Sequence, residues 1–282
     1  MCSLLKVRVR CAAMGLVLAI GIATAAAASR SVPLLKDEEF FFRGEDGTIL
    51  TLLTLEFLAA RDGDPTYAGA ASVKETDRRG KSLRGATAWT VPLELAPLPS
   101  KQGKATFVGR IELRSGRSYA VRYVLTNGTD EEIILKSALI VVPYLNGGFS
   151  ASSVVPAEQF GPATSDAGPF HVGSEDVVPK PRGVFKRSEL LRLYLQVYDA
   201  AIDPVTSQRS VDVEFRFYRL VGGRSKRQGK PQLVRGAAGA SVGLALPIGD
   251  WPTGSYRVVA ELRDRRSAAR TSTEGSFSIV ED

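Results

Sequence analysis

The single histidine of the chain, His171, is the first residue with catalytic potential. It lies in the run GPFHVGSED, residues 168–176, beside two carboxylates, and a histidine that meets a serine and a carboxylate can act as the base of a hydrolase. Ser165 and Ser174 are the nearest hydroxyl groups, but neither stands in the Gly-x-Ser-x-Gly elbow that presents such a nucleophile. We therefore expect His171 to be a surface or packing residue and the chain not to be an enzyme.

The composition leaves few ligands for a metal ion. Both cysteines, Cys2 and Cys11, precede residue 29, and the rest of the chain has one histidine, so zinc and copper lack their usual ligands. Oxygen-rich turns can hold calcium, and Asp62-Gly63-Asp64 is the best such cluster, followed by Asp130-Glu131-Glu132. Both clusters are also typical of ordinary loop carboxylates. No glycine-rich loop is followed by a helix that could receive a phosphate, so we expect no metal and no cofactor.

Two basic runs are candidates for contact with an acidic polymer or an anionic surface. Arg224, Lys226, Arg227 and Lys230 stand in a stretch predicted to be a hairpin loop, and residues 263–270 (RDRRSAAR) form a second cluster. Counting strand reversals places the two runs at opposite ends of a sandwich, so they do not form one patch. Solvated loop charges explain both runs, and a polyanion- or carbohydrate-binding module is the alternative. Nucleic acid is not expected, because no aromatic residues interleave with the charges.

Three tyrosines occupy strand positions where charged side chains would be expected. Tyr194, Tyr198 and Tyr218 alternate with apolar residues, which predicts that they lie on the outward face of adjacent strands. An exposed aromatic face marks either a docking surface or a contact between domains. Because sugar platforms usually use tryptophan, we expect these tyrosines to contact a partner protein or another part of the chain.

The clearest strand pattern in the chain is DWPTGSYRVVAELRD, residues 250–264. Apolar residues alternate with charged residues between two turn signals, which indicates a strand with one wet face. A weaker copy begins at Ser115, and in it Tyr119 aligns with Tyr256. Each tyrosine starts the penultimate strand of its half, which is the position of the tyrosine corner in immunoglobulin-like sandwiches. Two copies of one strand predict two copies of one domain.

Similar runs recur at short intervals along the whole chain, and none favours a long helix. Further strands are predicted at 38–44, 48–60, 71–77, 86–95, 105–114, 131–143, 189–200, 211–220, 240–248 and 275–280. Residues 48–60 also fit a short buried helix, but β-branched residues and bounding turns favour a strand. Gly, Pro and Ser are dense from 146 to 187, which places a boundary near 146–166. The sequence predicts an all-β protein of two tandem immunoglobulin- or fibronectin-like antiparallel β-sandwiches, 29–148 and 149–282.

Residues 1–28 have the pattern of a secretory signal peptide. Three basic residues precede a short apolar run from Cys11 to Ala25, and small residues follow up to Ala28. The run is shorter than the roughly 20 apolar residues of a membrane span, so we expect cleavage and no span in the mature chain. The chain has 37 Lys and Arg residues, and three of them lie in this segment. Its removal leaves 34 basic and 30 acidic residues, a mild net charge of +4. An exported chain without cysteine favours a bacterial destination, either periplasmic or extracellular.

Several longer stretches combine these features. They are EFFFRGEDGTILTLLTLEF at 39–57, RSGRSYAVRYVLTN at 114–127, SALIVVPYLNGGFSASSVV at 137–155, LRLYLQVYDA at 191–200, VDVEFRFYR at 211–219 and DWPTGSYRVVAELRDRRSAART at 250–271. Together they resemble the tandem sandwich region of bacterial exported proteins of the GWxTD type, although the Gly-Trp-x-Thr-Asp element is absent. The resemblance implies a β-sandwich fold and export, and no site residue. We expect a non-enzymatic binding or structural module whose partner is another envelope or extracellular protein.

Overall fold

The computed structural model describes residues 29–32, 34–58, 67–98, 104–127, 132–135, 138–163 and 170–282. Within these ranges the chain consists almost wholly of β-strands, with 3₁₀ turns at Glu45–Gly47 and Pro181–Gly183 and no α-helix. The all-β class predicted from the sequence is confirmed. In the described part of the chain, no helix has the length and apolar character that crossing a bilayer would require.

Twenty strands run through the described residues. They are β1 (Ser29–Val32), β2 (Leu34–Arg43), β3 (Thr48–Leu58), β4 (Tyr67–Thr76), β5 (Ala88–Leu98), β6 (Lys104–Arg114), β7 (Ser118–Asn127), β8 (Glu132–Leu135), β9 (Ala138–Val141), β10 (Ser150–Ala151), β11 (Val155–Pro162), β12 (His171–Val172), β13 (Glu175–Pro179), β14 (Val184–Lys186), β15 (Leu190–Tyr198), β16 (Val211–Val221), β17 (Arg224–Ala237), β18 (Ser241–Pro247), β19 (Gly254–Asp264) and β20 (Arg270–Val280). Every predicted strand has a counterpart, although 131–143 is divided into β8 and β9. The sequence reasoning missed β1, β17 and the strands between residues 146 and 187.

A nine-stranded sheet contains the strands up to residue 141. Its order is β1-β8-β7-β4-β5-β6-β3-β2, and β9 also pairs with β7. Strand β5 belongs to two layers, because residues 88–93 pair with β4 whereas residues 94–98 pair with β6. The sheet thereby folds over on itself. The enclosed side chains form one apolar core, which includes Phe57, Tyr119 and Tyr123.

Two further sheets follow in the C-terminal half. One has the order β14-β20-β19-β16-β17, and the other has the order β10-β15-β11-β13-β12 with β18 also paired with β15. They enclose a second core, which includes Leu193, Phe215, Phe217 and Tyr256. The described pairings are antiparallel apart from β1 with β8 and β14 with β20.

Tyr119 and Tyr256 have matching surroundings in the two halves. Strand β7 lies between β4 and the pair β8 and β9, and β19 lies between β16 and β20. Both rings are fully buried. The backbone N–H of Arg114 donates to the Tyr119 hydroxyl at 3.2 Å, and the Tyr256 hydroxyl donates to the carbonyl of Pro252. The buried ring and the hydrogen bond to nearby backbone that a tyrosine corner predicts are confirmed at both positions.

Strand β3 is buried on both faces, over nine consecutive residues from Ile49 to Phe57. Leu53 and Leu55 face the N-terminal core. Leu50 and Leu52 face a third apolar cluster, which contains residues of both halves. A strand covered on both sides has a nearly continuous apolar sequence rather than an alternating one, which is why residues 48–60 also fitted a buried helix.

Candidate interaction surface

The three tyrosines predicted to form one exposed aromatic face do not share a face. Tyr194 and Tyr198 lie on β15 and Tyr218 lies on β16, and these strands belong to different sheets. Tyr194 is 1% exposed, so its predicted exposure is wrong. The cause is tertiary: β2 of the N-terminal half packs against this face of β15, and the ring of Phe42 lies 6.2 Å from that of Tyr194.

Tyr198 belongs to a polar joint between β15 and β2. The backbone N–H of Arg43 donates to the Tyr198 hydroxyl at 2.9 Å, and the Arg43 guanidinium lies 4.5 Å from the centre of the Tyr198 ring. The same guanidinium donates to both carboxylate oxygens of Asp199 at 2.8 Å and to the carbonyl of Leu145. The hydrogen bond from Arg43 holds the pKa of Asp199 below its ordinary value. One side chain therefore binds the second half and the segment that leads into it.

A chain of hydrogen bonds continues from this joint into the interior. The Tyr198 hydroxyl donates to Oε1 of Gln196 at 3.0 Å, and Nε2 of Gln196 donates to the Tyr194 hydroxyl at 3.1 Å. Burial raises the pKa of Tyr198 to about 12, so this hydroxyl stays protonated near neutral pH. Two of the three predicted tyrosines thus contact their own chain.

The predicted basic loop is part of an edge strand. Arg224, Lys226, Arg227 and Lys230 are exposed residues of β17, whose pairing partner is β16. The turn between these strands is only Gly222-Gly223, with φ values of 55° and 75°, a conformation that favours two glycines in a two-residue hairpin. The loop prediction is wrong because charged residues are well tolerated on a strand at the edge of a sheet, where their side chains stay hydrated.

The second basic run surrounds the turn between β19 and β20. Asp264, which leads into this turn, is opposite Val211 at one end of β16, whereas Arg224 is opposite Val221 at the other end. The two basic runs therefore lie at opposite ends of the sheet, as the strand count predicts.

His171 lies on β12, a two-residue strand paired with β13. Its Nδ1 atom lies 3.5 Å from Oδ1 of Asp176. Ser174 lies in the turn between these strands, and within the described residues no hydrogen bond joins its hydroxyl to His171. Ser165 lies outside the described residues.

Sequence reasoning missed another serine. Ser241 is the centre of a Gly-x-Ser-x-Gly spacing at 239–243, and that spacing was the signal that could have found it. Ser241 begins strand β18 rather than a strand-to-helix turn, and its hydroxyl donates to Oε1 of Glu175 at 2.9 Å. Glu175 and His171 occupy successive register positions of the β12–β13 hairpin and so project to opposite faces. The fold does not bring the imidazole to this hydroxyl.

The calcium candidates and the predicted signal peptide fall largely outside the described residues. This is the case for Asp62-Gly63-Asp64, for Asp130 and Glu131, and for residues 1–28. In the ranges that the structure does describe, no three His, Cys, Asp or Glu side chains are grouped closely enough to hold a metal ion.

An open groove of about 550 Å³ lies on the outer face of the five-stranded sheet. Strands β16, β19 and β20 form its floor, and Leu233 of β17 forms one side. Strand register arranges its polar side chains in rows across the sheet: the first row is Asp212, Arg263 and Arg270, and the second is Glu214, Glu261 and Ser272. Because side chains two residues apart share a face, both rows line one surface. We call this surface the sheet-face groove.

The acidic side chains of the sheet-face groove are already engaged. Arg216 donates to Glu214 at 2.9 Å and to Glu261 at 2.5 Å, so a single guanidinium serves two carboxylates. The carboxylate of Asp212 accepts a backbone N–H of β17 at 2.9 Å and lies 3.7 Å from Nε of Arg265. These contacts fix the positions of the carboxylates.

Two arginines at the same end of the sheet-face groove have no counter-ion among the residues that the structure describes. Arg263 and Arg270 are direct cross-strand neighbours and both are exposed. Among the described residues, neither guanidinium forms an ion pair or a hydrogen bond. Like charges directly opposite each other on paired strands are destabilising. This end of the groove is therefore a local positive site beside charges that are paired.

Tyr218 extends the same outer face beyond the groove. The Arg257 guanidinium lies 5.3 Å from the centre of the Tyr218 ring. Its Nη1 atom also lies 3.5 Å from Oε2 of Glu274. Tyr218 stays a predicted contact for a partner protein.

The comparisons with known proteins add only distant structural similarity. No family model matches the chain, and no curated protein matches it. Among solved structures, it is similar to a transglutaminase from red sea bream, with 11% identity and a TM-score of 0.22 over 88% of this chain and 31% of that one. It is also similar to a DUF4785 family protein from Legionella pneumophila, with 11% identity and a TM-score of 0.25 over 83% of this chain and 57% of that one. The chain spans less than two thirds of either structure, and similarity at this level carries no conclusion about function.

Proposed function

We propose that this chain is an exported, non-enzymatic binding module of the bacterial envelope that interacts with another envelope or extracellular protein. In this proposal it consists of two tandem immunoglobulin-like sandwiches, 29–148 and 149–282, that follow a cleaved signal peptide. The observation that carries the proposal is the sheet-face groove. It is an open concave surface of charged side chains on a five-stranded sheet, and its carboxylates are held in place by ion pairs.

Two further features support a protein partner. The aromatic ring of Tyr218 and the guanidinium of Arg257 continue the face beyond the groove, and tyrosine and arginine are enriched in protein interfaces. The guanidinium of Arg216 donates to Glu214 and to Glu261 and holds both carboxylates in place, so that a partner meets a pre-organised surface.

The test is capture of a partner with a matched pair of variants. Residues 29–282 are immobilised and exposed to envelope extract, beside the groove variant Arg216→Glu and the control Arg224→Glu, which makes the same charge change on the distant edge strand. We expect one protein to be retained by the original chain and by the control, and to be lost from the groove variant. Circular dichroism verifies that all three are folded. Retention of the same proteins by all three, or of none, contradicts the proposal.

Export is tested separately. Residues 1–28 are fused to a reporter enzyme that is active only outside the cytoplasm, and the full chain is followed by cell fractionation and mass spectrometry of its N-terminus. We expect reporter activity and a mature N-terminus near residue 29. A full-length chain confined to the cytoplasmic fraction contradicts export.

A second candidate function, polyanion binding, is favoured by the composition of β17 and its turn. Arg224, Lys226 and Arg227 are exposed at one end of the sheet beside Val221, which is 50% exposed, and residues 219–230 contain no acidic residue. This candidate predicts salt-sensitive retention on heparin that is lost when the three basic residues are replaced together by glutamine. Retention that survives this triple replacement excludes it.

A further inference from the structure

We infer that Arg263 and Arg270 form a receptor for a carboxylate carried by the partner protein, on an extended segment that lies along the sheet-face groove. The inference rests on the proposed function, because it names the chemistry of the partner at that groove. It assigns a role to two arginines that no contact within the described chain explains.

The first argument is that two arginines that repel each other have no counter-ion among the described residues. Arg263 and Arg270 lie directly opposite each other on β19 and β20, and no carboxylate of the described residues pairs with either. The nearest acid in the same row, Asp212, is engaged by Arg265 and by a backbone N–H. A bound carboxylate would remove the repulsion between the guanidinium groups, and each guanidinium can bind it through two parallel hydrogen bonds.

The second argument is the mixed charge of the groove, which favours a polypeptide over a uniformly anionic polymer. Three acids and three bases line the groove: Asp212, Glu214, Glu261, Arg216, Arg263 and Arg270. In the second row Glu214 and Glu261 share one guanidinium, so this row keeps an excess of negative charge. A polyanion that satisfied the arginine pair would place its next negative groups over these carboxylates.

The third argument is spacing. The two rows are two residues apart along each strand, which is about 6.6 Å, and side chains on one face of an extended ligand repeat at the same distance. A segment in which an acidic and a basic residue are two positions apart, in either order, therefore matches both rows, because the ligand can run in either direction along the strands. The acid lies over Arg263 and Arg270, and the base lies over Glu214 and Glu261.

A random nonapeptide display library tests this without knowledge of the partner. Residues 29–282 and the variant R263Q/R270Q are used as separate targets at low salt, with K226Q/R227Q as a control that removes the same charge elsewhere. We expect the original chain and the control to select peptides in which Asp or Glu and Lys or Arg are two positions apart, in either order. Selected peptides should bind R263Q/R270Q at least tenfold more weakly in fluorescence anisotropy, and added salt should reduce this difference.

Other outcomes overturn the inference. Selection of no peptides, or of peptides that bind R263Q/R270Q with the original affinity, contradicts it. If no peptide is selected but the original chain binds heparin and R263Q/R270Q does not, the ligand of the arginine pair is a polyanion and not a peptide. The double variant should unfold at the same or a higher temperature than the original chain, because it loses a repulsive pair, and this verifies that weaker binding is not a loss of folding. If R263Q/R270Q still captures the partner from envelope extract while Arg216→Glu does not, the inference fails and the proposed function stands.

Discussion

Arg43 and Asp199 are 156 residues apart in the sequence and are joined by two hydrogen bonds of 2.8 Å. Arg43 ends β2, and Asp199 directly follows β15. The guanidinium also donates to the carbonyl of Leu145, so it fixes the segment that connects the two halves. Its planar fork makes these contacts at the same time, which a lysine ammonium cannot do.

Replacement of Arg43 by lysine is expected to weaken this joint. The charge is kept but the bidentate geometry is lost, and the free energy of unfolding should fall by about 1.5–3 kcal/mol, the range for hydrogen bonds to charged groups. Urea denaturation followed by circular dichroism measures the change. The exposed control Arg224→Lys should change stability by less than about 0.5 kcal/mol. Equal stability of Arg43→Lys and the original chain would show that the joint contributes nothing.

The two tyrosine corners are expected to stabilise the fold through their hydroxyls. Tyr256→Phe removes the donor to Pro252, and Tyr119→Phe removes the acceptor for the backbone N–H of Arg114. Each change keeps the buried ring and should lower the free energy of unfolding by about 0.5–1.5 kcal/mol. Tyr218→Phe, on the outer face, is the control. Two phenylalanine variants as stable as Tyr218→Phe would exclude a role for the corner hydroxyls.

Glu39 is expected to make stability depend on pH. Burial, with a contribution from nearby Asp37, raises the pKa of Glu39 from its ordinary 4.5 to about 7. Between these values the unfolded chain has released the proton and the folded chain still holds it, so the free energy of unfolding falls as pH rises through this window. Glu39→Gln should therefore raise the free energy of unfolding by about 1–3 kcal/mol at pH 8 and leave this free energy nearly unchanged at pH 4.

Denaturation curves at both pH values measure this difference. The control is Glu94→Gln, because Glu94 is an exposed residue of β5. A stabilisation by Glu39→Gln that is equal at pH 4 and pH 8 would contradict the ionisation argument.

Gly275 is expected to be a site where a methyl group is not tolerated. A Cβ atom at this position would lie 2.6 Å from the backbone carbonyl oxygen of Val154, so β20 and the segment that directly precedes β11 would have to move apart. Gly275→Ala should lower the free energy of unfolding by about 1–3 kcal/mol. Gly161→Ala is the matched control in β11, where an added Cβ meets no atom within 4 Å. Thermal unfolding compares the two, and equal midpoints would contradict the close approach.

The alternation of apolar and polar residues was sufficient to place most strands and to show which face of each strand points to the core. In β16, Val211, Val213, Phe215 and Phe217 are buried and the residues between them are not, as the period-two pattern predicts. The same pattern located Tyr119 and Tyr256. These features are local, because in a strand with one solvent-exposed face the alternation of apolar and polar residues shows which face is buried.

What covers the other face of a strand was decided by tertiary structure. The pattern of β15 marks Leu193 and Tyr194 as facing opposite ways, and both are buried, because β2 packs against the side that the pattern assigns to solvent. The sheet-face groove has the same origin: Glu214 lies beside Glu261, and Arg263 beside Arg270, only when β16, β19 and β20 pair in their observed register. Sequence periodicity reports the two faces of one strand, whereas the neighbours of each face depend on contacts between residues far apart in the chain.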